Sequence, residues 1–204
     1  MKPLKPDLLR GWLLASAACV AMLAGCASPS ATPEEPGAQP TASPWLALAP
    51  SALGCAAAAQ QRLTVQPPGQ QGRELDALLE VDASTMRLAI LNLGQMVGTL
   101  EWDGQQINPQ LSRWWPAVLK PEQVLGDVQL AFWPQQAIVR ALPAGWSLQV
   151  SGGERVLRYD GVERVKVRQL DVNALEVVYP QGRWSLRIDS PGGADLCSNA
   201  VKQG

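Results

Sequence analysis

Apolar and polar residues alternate along most of the chain, and the breaks in that alternation outline its architecture. Leu63 and Val65 begin a period-two pattern that continues through Leu75, Ala77, Leu79 and Val81, then Met86, Leu88 and Ile90, and after Gly94 through Met96, Gly98, Leu100 and Trp102. Successive side chains of a strand point to opposite faces, so each run predicts a strand with one buried face. Asp103-Gly104 is a two-residue hairpin signal, with Gln105 to Asn108 as the short returning strand. Between Lys120 and Leu142 the period lengthens: Val124, Leu125, Val128, Ala131 and Phe132 share one face of a helix. Pro121 suits its first turn, Glu122 suits the positive end of its dipole, and Pro134 stops it after Trp133. Ala137, Ile138, Ala141 and Leu142 predict a second, shorter helix. Alternation then returns at Trp146, Leu148 and Val150. It continues, separated by Gly152-Gly153, Asp160-Gly161 and Gln181-Gly182, to Trp184, Leu186 and Ile188. The order strands, helix, strands has no βαβ rhythm. It predicts a mainly β protein with one or two helices (α+β), its curved antiparallel sheet forming an incomplete barrel with a helical plug or lid.

Ahead of the alternation the pattern changes character. A charged start (Lys2, Lys5, Arg10) precedes an apolar run from Gly11 to Leu23, short for a membrane span, that ends in Leu23-Ala24-Gly25-Cys26. As in bacterial lipoproteins, this predicts a signal peptide over residues 1–25 and acylation of Cys26 as the first residue of the mature chain. Pro29, Pro33, Pro36, Pro40 and Pro44 lie among Ser, Thr, Ala and Glu and predict a tether over residues 26–44. At about 3.1 Å per residue it reaches on the order of 50 Å. Residues 45–204 are then expected to form a single β-rich domain. Ala27 and Ser28, rather than an aspartate, follow the cysteine, so the expected location is the periplasmic face of the outer membrane.

Composition narrows the chemistry. With 17 basic and 18 acidic residues the chain has no electrostatic case for nucleic acid. It has no histidine, which excludes a Ser-His-Asp triad, a Cys-His pair and every histidine-ligated metal site. No glycine-rich phosphate loop, metal-ligand spacing or nucleophile elbow is present, so no catalytic residue, metal or cofactor is expected and the protein reads as a non-enzyme. Cys55 and Cys197 remain once Cys19 and Cys26 are assigned to the leader and the lipid. A cysteine pair in an oxidising compartment is more often a disulfide than a site.

One helix is a thin plug for so large a sheet, and the pattern is equally compatible with a hollow and with an interior filled by Leu, Val and Trp. For a hollow, the candidate lining residues are Leu88, Ile90, Met96, Leu100, Trp102, Val128, Phe132, Trp133 and Trp146. Trp114 and Trp115 sit in a connecting segment and are candidates for a rim or membrane contact, because indole suits a half-wet boundary. Asp127 and Gln129 read as a polar pair at the pocket mouth or as local helix partners, and Arg164, Lys166 and Arg168 as a solvated outer row.

The lipobox, the Leu75 to Trp102 strands, the run Val124 to Pro134 ending in Phe132-Trp133-Pro134, and the segments Ala144 to Leu148 and Trp184 to Ile188 resemble an uncharacterised outer-membrane lipoprotein family of unknown function (DUF3261-like). That family is associated with aryl-polyene and fatty-acid-like biosynthesis clusters. In design it is similar, distantly, to the lipoprotein-localisation carriers and receptors (LolA/LolB-like), whose incomplete barrel and helical lid cradle acyl chains. The resemblance implies binding or transfer of a lipid, acyl or polyene-like molecule. The alternative expectation is a non-catalytic structural or assembly lipoprotein that docks an envelope protein partner.

Overall fold

The computed structural model describes residues 43–116 and 119–200, the side chains of 199 and 200 excepted. The expected signal peptide, the acylated Cys26 and most of the expected tether lie outside the described residues. Ten strands form one antiparallel sheet: β1 (Ala57–Gln66), β2 (Arg73–Val81), β3 (Met86–Asn92), β4 (Gln95–Trp102), β5 (Ile107–Leu111), β6 (Trp146–Ser151), β7 (Glu154–Tyr159), β8 (Val162–Asp171), β9 (Ala174–Tyr179) and β10 (Trp184–Asp189). Their spatial order is β5-β4-β3-β2-β1-β10-β9-β8-β7-β6. Two meanders are therefore joined by the pairing of the first strand with the last, in a register that sets Leu63 opposite Ile188 and Val65 opposite Leu186. Neither β5 nor β6 has a second neighbour, so the sheet does not close into a barrel.

Helices α1 (Pro121–Phe132) and α2 (Gln135–Ala141) connect the two meanders, and α3 (Leu196–Ala200) follows β10. Trp133 leaves the helical region at ψ 151, as expected of a residue before proline. The inner face of the sheet buries Ala77, Leu79, Met86, Leu88, Leu100, Val165, Val177 and Ile188 against Leu125, Leu130, Trp133 and Ile138 of the helical segment. The sheet curves around α1. Trp102 of β4 and Gln129 of α1 both donate to the Leu48 carbonyl, while Arg155 of β7 donates to the Leu130 and Trp133 carbonyls. Strands near opposite edges of the sheet thus converge on one helix.

Several boundaries differ from the sequence reading. Asp103 Oδ1 accepts the amides of Gln105 and Gln106, each at 2.8 Å, and holds a four-residue turn that delays β5 to Ile107. β1 begins at Ala57, six residues before its first large apolar residue, because Ala57, Ala59 and Gln61 continue its inward positions without an apolar signal. Three bulges break the alternation, one of them at Leu170 between Gln169 and Asp171, and the other two move residues that the sequence pattern had placed. Ile90 pairs with Gly98 but Leu91 pairs with Met96, leaving Val97 as the extra residue. Val97 is consequently buried while Met96 turns outward and is 49% exposed, which removes Met96 from the interior. Likewise Leu157 pairs with Val165 but Arg158 pairs with Glu163, so Arg164 is the extra residue and is buried with its guanidinium donating to Gln181. The solvated row reduces to Lys166 and Arg168, paired with Glu163 and Glu176.

Cys55, just before β1, is bonded to Cys197 in α3. The bond ties the segment before β1 to the helix after β10, beside the β1–β10 seam, across a sequence separation of 142. Opening so long a loop releases denatured-state entropy. Replacing either cysteine by serine should therefore lower unfolding free energy by about 2–5 kcal/mol in denaturant titrations, an effect that reductant reproduces in the unmodified chain and not in the variant.

Candidate functional site

The N-terminal half of α1 does not meet the sheet flush. Val124 and Val128 face Leu63 and Val65 of β1, Leu75 of β2, Leu88 and Ile90 of β3, and Trp184, Leu186 and Ile188 of β10, with Leu119 closing the end. Between them is an apolar cavity of about 70 Å³. Its polar lining is confined to Gln61, Gln123 and Asp127. Gln61 is buried and donates from Nε2 to Ser190 Oγ at 3.1 Å, so its orientation is held by the last residues of the β10 segment.

Asp127 is the ionisable group of this site. It is buried, and Oδ1 accepts from Ser43 Oγ at 2.8 Å and from the Tyr179 hydroxyl, while Ser43 Oγ and Tyr179 Oη lie 3.1 Å apart. Burial pushes the carboxyl up from 3.8 to about 7, against the opposing pull of the two hydroxyl hydrogen bonds. The Tyr179 phenol is also raised, first by burial and then by the carboxylate beside it, so it stays protonated and donates. Tyr179 in turn stacks on Trp184, with centroids 4.1 Å apart and planes within 9°, which fixes the phenol at the cavity's polar end.

The strap at residues 43–49 crosses α1 and covers the other side of the helix. It packs on Gly126, where a Cβ would sit in ordinary contact, 3.6 Å from the Pro44 carbonyl oxygen and 3.7 Å from the Trp45 ring. Trp45 packs edge-on against Trp102 at 5.1 Å, and Leu48 exchanges hydrogen bonds with the Gln129 amide in both directions. Pro44, expected as the end of the tether, is thus seated on the domain.

The nine candidate lining residues separate into groups. Leu88, Ile90 and Val128 line the cavity. Leu100, Trp102 and Trp133 are buried in filled core, with both indole N–H groups donating to carbonyls of the strap. Phe132 instead lines an open cleft of about 310 Å³ at the C-terminal end of α1, with Arg155, Val167, Leu175 and Cys197. There Arg155 caps the helix carbonyls, and burial pulls its pKa below the usual arginine value. Trp146 packs on Tyr159 at the β6 edge, and Met96 lies outside. Of the paired tryptophans, Trp114 is 65% exposed, whereas Trp115 folds over the inner face at Gly98 and donates to the Leu119 carbonyl at 2.8 Å. Gln129 serves the strap rather than the cavity mouth, and Asp127 reaches the cavity. Sequence reasoning left out Leu63, Val65, Leu75, Trp184, Leu186 and Ile188, which share a face only because β1 pairs with β10.

Because the folded-state value of Asp127 lies above the unfolded one, its proton is held more tightly in the folded chain. The associated stability is complete below about pH 4 and is lost as pH rises to about 7, by up to about 4 kcal/mol. Asp127→Asn should flatten that loss. Denaturant midpoints at pH 4 and pH 8 for both proteins check it, and equal pH dependence in the two would contradict the assignment.

Residues 58–190 match the model of a family described as protein of unknown function (DUF3261). No curated protein matches the chain.

Proposed function

The chain belongs to the DUF3261 family, and on that footing we propose that it is a non-catalytic carrier that binds or helps transfer a lipid, acyl or polyene-like molecule. The observation that carries this reading is the apolar cavity beneath α1, with Gln123 and Asp127 beside Tyr179 at the end where β9 meets the start of β10. Such a site suits an elongated apolar chain ending in a hydrogen-bonding head. Gln123 and Asp127 are the groups within reach of that head, while Gln61 lies at the other end of the cavity, bonded to Ser190.

A volume of about 70 Å³ is small beside the roughly 300–1,000 Å³ of ordinary ligand sites. Loading therefore requires α1 to lift from β1 and β10, acting as the lid of an open, curved sheet in the manner of the Lol carriers. Each methylene transferred from water contributes about 0.8 kcal/mol, so a long chain supplies the free energy to hold the lid open. Acylation at Cys26 and a seat on the periplasmic face of the outer membrane belong to the same proposal and place the carrier where such cargo is delivered.

Binding of cis-parinaric acid, a fluorescent polyene fatty acid, followed by titration of the purified chain, tests the cavity. Val128→Trp fills the space and should weaken binding by about tenfold or more at unchanged fold, read by circular dichroism. Organic extracts of the purified protein should contain a lipid at near-equal molar amount. Absence of extractable lipid together with absence of probe binding overturns the carrier. That outcome leaves the assembly lipoprotein, for which the unpaired edge of β6 offers a strand to a protein partner.

A further inference from the structure

The antiparallel order sends every turn to one of two ends of the sheet, and the two ends differ chemically. One end holds the β1–β2, β3–β4, β7–β8 and β9–β10 turns together with the segment after β5. The other holds the β2–β3, β4–β5, β6–β7 and β8–β9 turns. At the first end four large apolar side chains stand in solvent: Leu93 (94% exposed), Trp114 (65%), Met96 and Leu111. They are neighbours. Leu93 and Gly94 form the β3–β4 turn, Met96 opens β4 opposite Leu91, Leu111 pairs with Gly98, and the Ser112 amide donates to the Val97 carbonyl at 2.9 Å.

Stability does not account for this rim. Leu93 occupies φ 50 and Gly94 φ 75, a two-residue turn whose first position favours asparagine, aspartate or glycine. A leucine there is strained in backbone and covers nothing. We infer that Leu93, Met96, Leu111 and Trp114 form a docking surface for an anionic lipid bilayer.

The occupant follows from shape and charge. The rim is a hairpin tip and an adjoining loop, which protrude, whereas a protein groove presents a concavity. Arg113 lies over the Trp114 ring at 4.7 Å, pairing an indole with a cation as a headgroup boundary favours. The exposed charges in the turns and loops of this end are Arg113, Lys120 and Arg183, against the single acid Asp160. At the opposite end the turns are bordered by Asp82, Asp103, Glu154 and Asp171, and among the described residues they contain no Lys or Arg. An anionic surface therefore attracts the end that carries Leu93 and Trp114 and repels the other, where the exposed Val150, Leu170 and Val172 stand among acids. The cavity also lies toward the docking end: Ile90, Val65, Leu75 and Trp184 are all near the strand termini that meet there, and Trp115 beside the rim donates to the Leu119 carbonyl that borders it. The docking assignment nevertheless stands whether or not the cavity takes cargo.

Two measurements on the full chain carrying Cys26→Ser, so that no acyl group contributes, test it. With vesicles of equal parts phosphatidylcholine and phosphatidylglycerol, amide hydrogen exchange should slow at residues 91–96 and 112–116 and stay unchanged at the turns 82–85 and 103–106. The double variant Leu93→Asp, Trp114→Asp should abolish that slowing and lower the rim-dependent part of vesicle flotation by about tenfold or more, while Val172→Asp, which alters an exposed apolar residue at the opposite end, leaves both unchanged. Absence of slowing at the rim, equal slowing at both ends, or an equal effect of Val172→Asp overturns the inference, as does a rim that binds an envelope protein but no vesicle.

Discussion

Pairing of β1 with β10 unites two five-strand meanders into a single sheet whose inner face is continuous from Trp102 to Leu157. A sheet with one apolar face has to cover it, and the chain devotes only α1, α2 and the strap at 43–49 to that task. The curvature follows from this shortage of cover. Strands as far apart in the order as β4 and β7 must approach the same helix, and they do so through Trp102 near its C-terminal half and Arg155 at its end. The disulfide reinforces the same seam, since Cys55 precedes β1 and Cys197 follows β10.

Cover is uneven along α1. Its C-terminal half buries Leu130 in filled core with Trp133 and Ile138, and the strap locks that half through Gln129. Its N-terminal half leaves the cavity, where the packed residues are valines rather than larger side chains. Void and polar cluster coincide: Asp127, with its raised carboxyl, is held by Ser43 from the strap and Tyr179 from β9, so three separate parts of the chain meet at the edge of the space. A buried carboxyl that must be kept neutral or fully hydrogen-bonded costs stability, and here it stands beside an otherwise apolar void.

The sheet's two ends are set apart by topology. An even alternation of up and down strands sorts the turns, and the sorting gathers acids at one end and, at the other, basic residues beside the exposed Leu93 and Trp114. The cavity and the exposed leucine and tryptophan lie toward the same end.

Much of the architecture was legible in residue order. Period-two runs marked most strands, Pro121 and Pro134 bracketed α1, and glycine-containing turns separated the hairpins, because these signals are local and act through backbone preference and burial of adjacent positions. Met96 and Arg164 were misplaced because a bulge inserts one residue and reverses every inside-outside assignment beyond it, with no mark in composition. The site was less legible still. Leu88, Ile90 and Val128 could be read from their own elements, but Leu63 beside Ile188, and Asp127 beside Tyr179 and Ser43, are long-range meetings that exist only once the first strand has found the last. Local periodicity determines which face of each element is apolar; only the tertiary pairing decides which faces share a space, because that choice depends on register between strands more than a hundred residues apart.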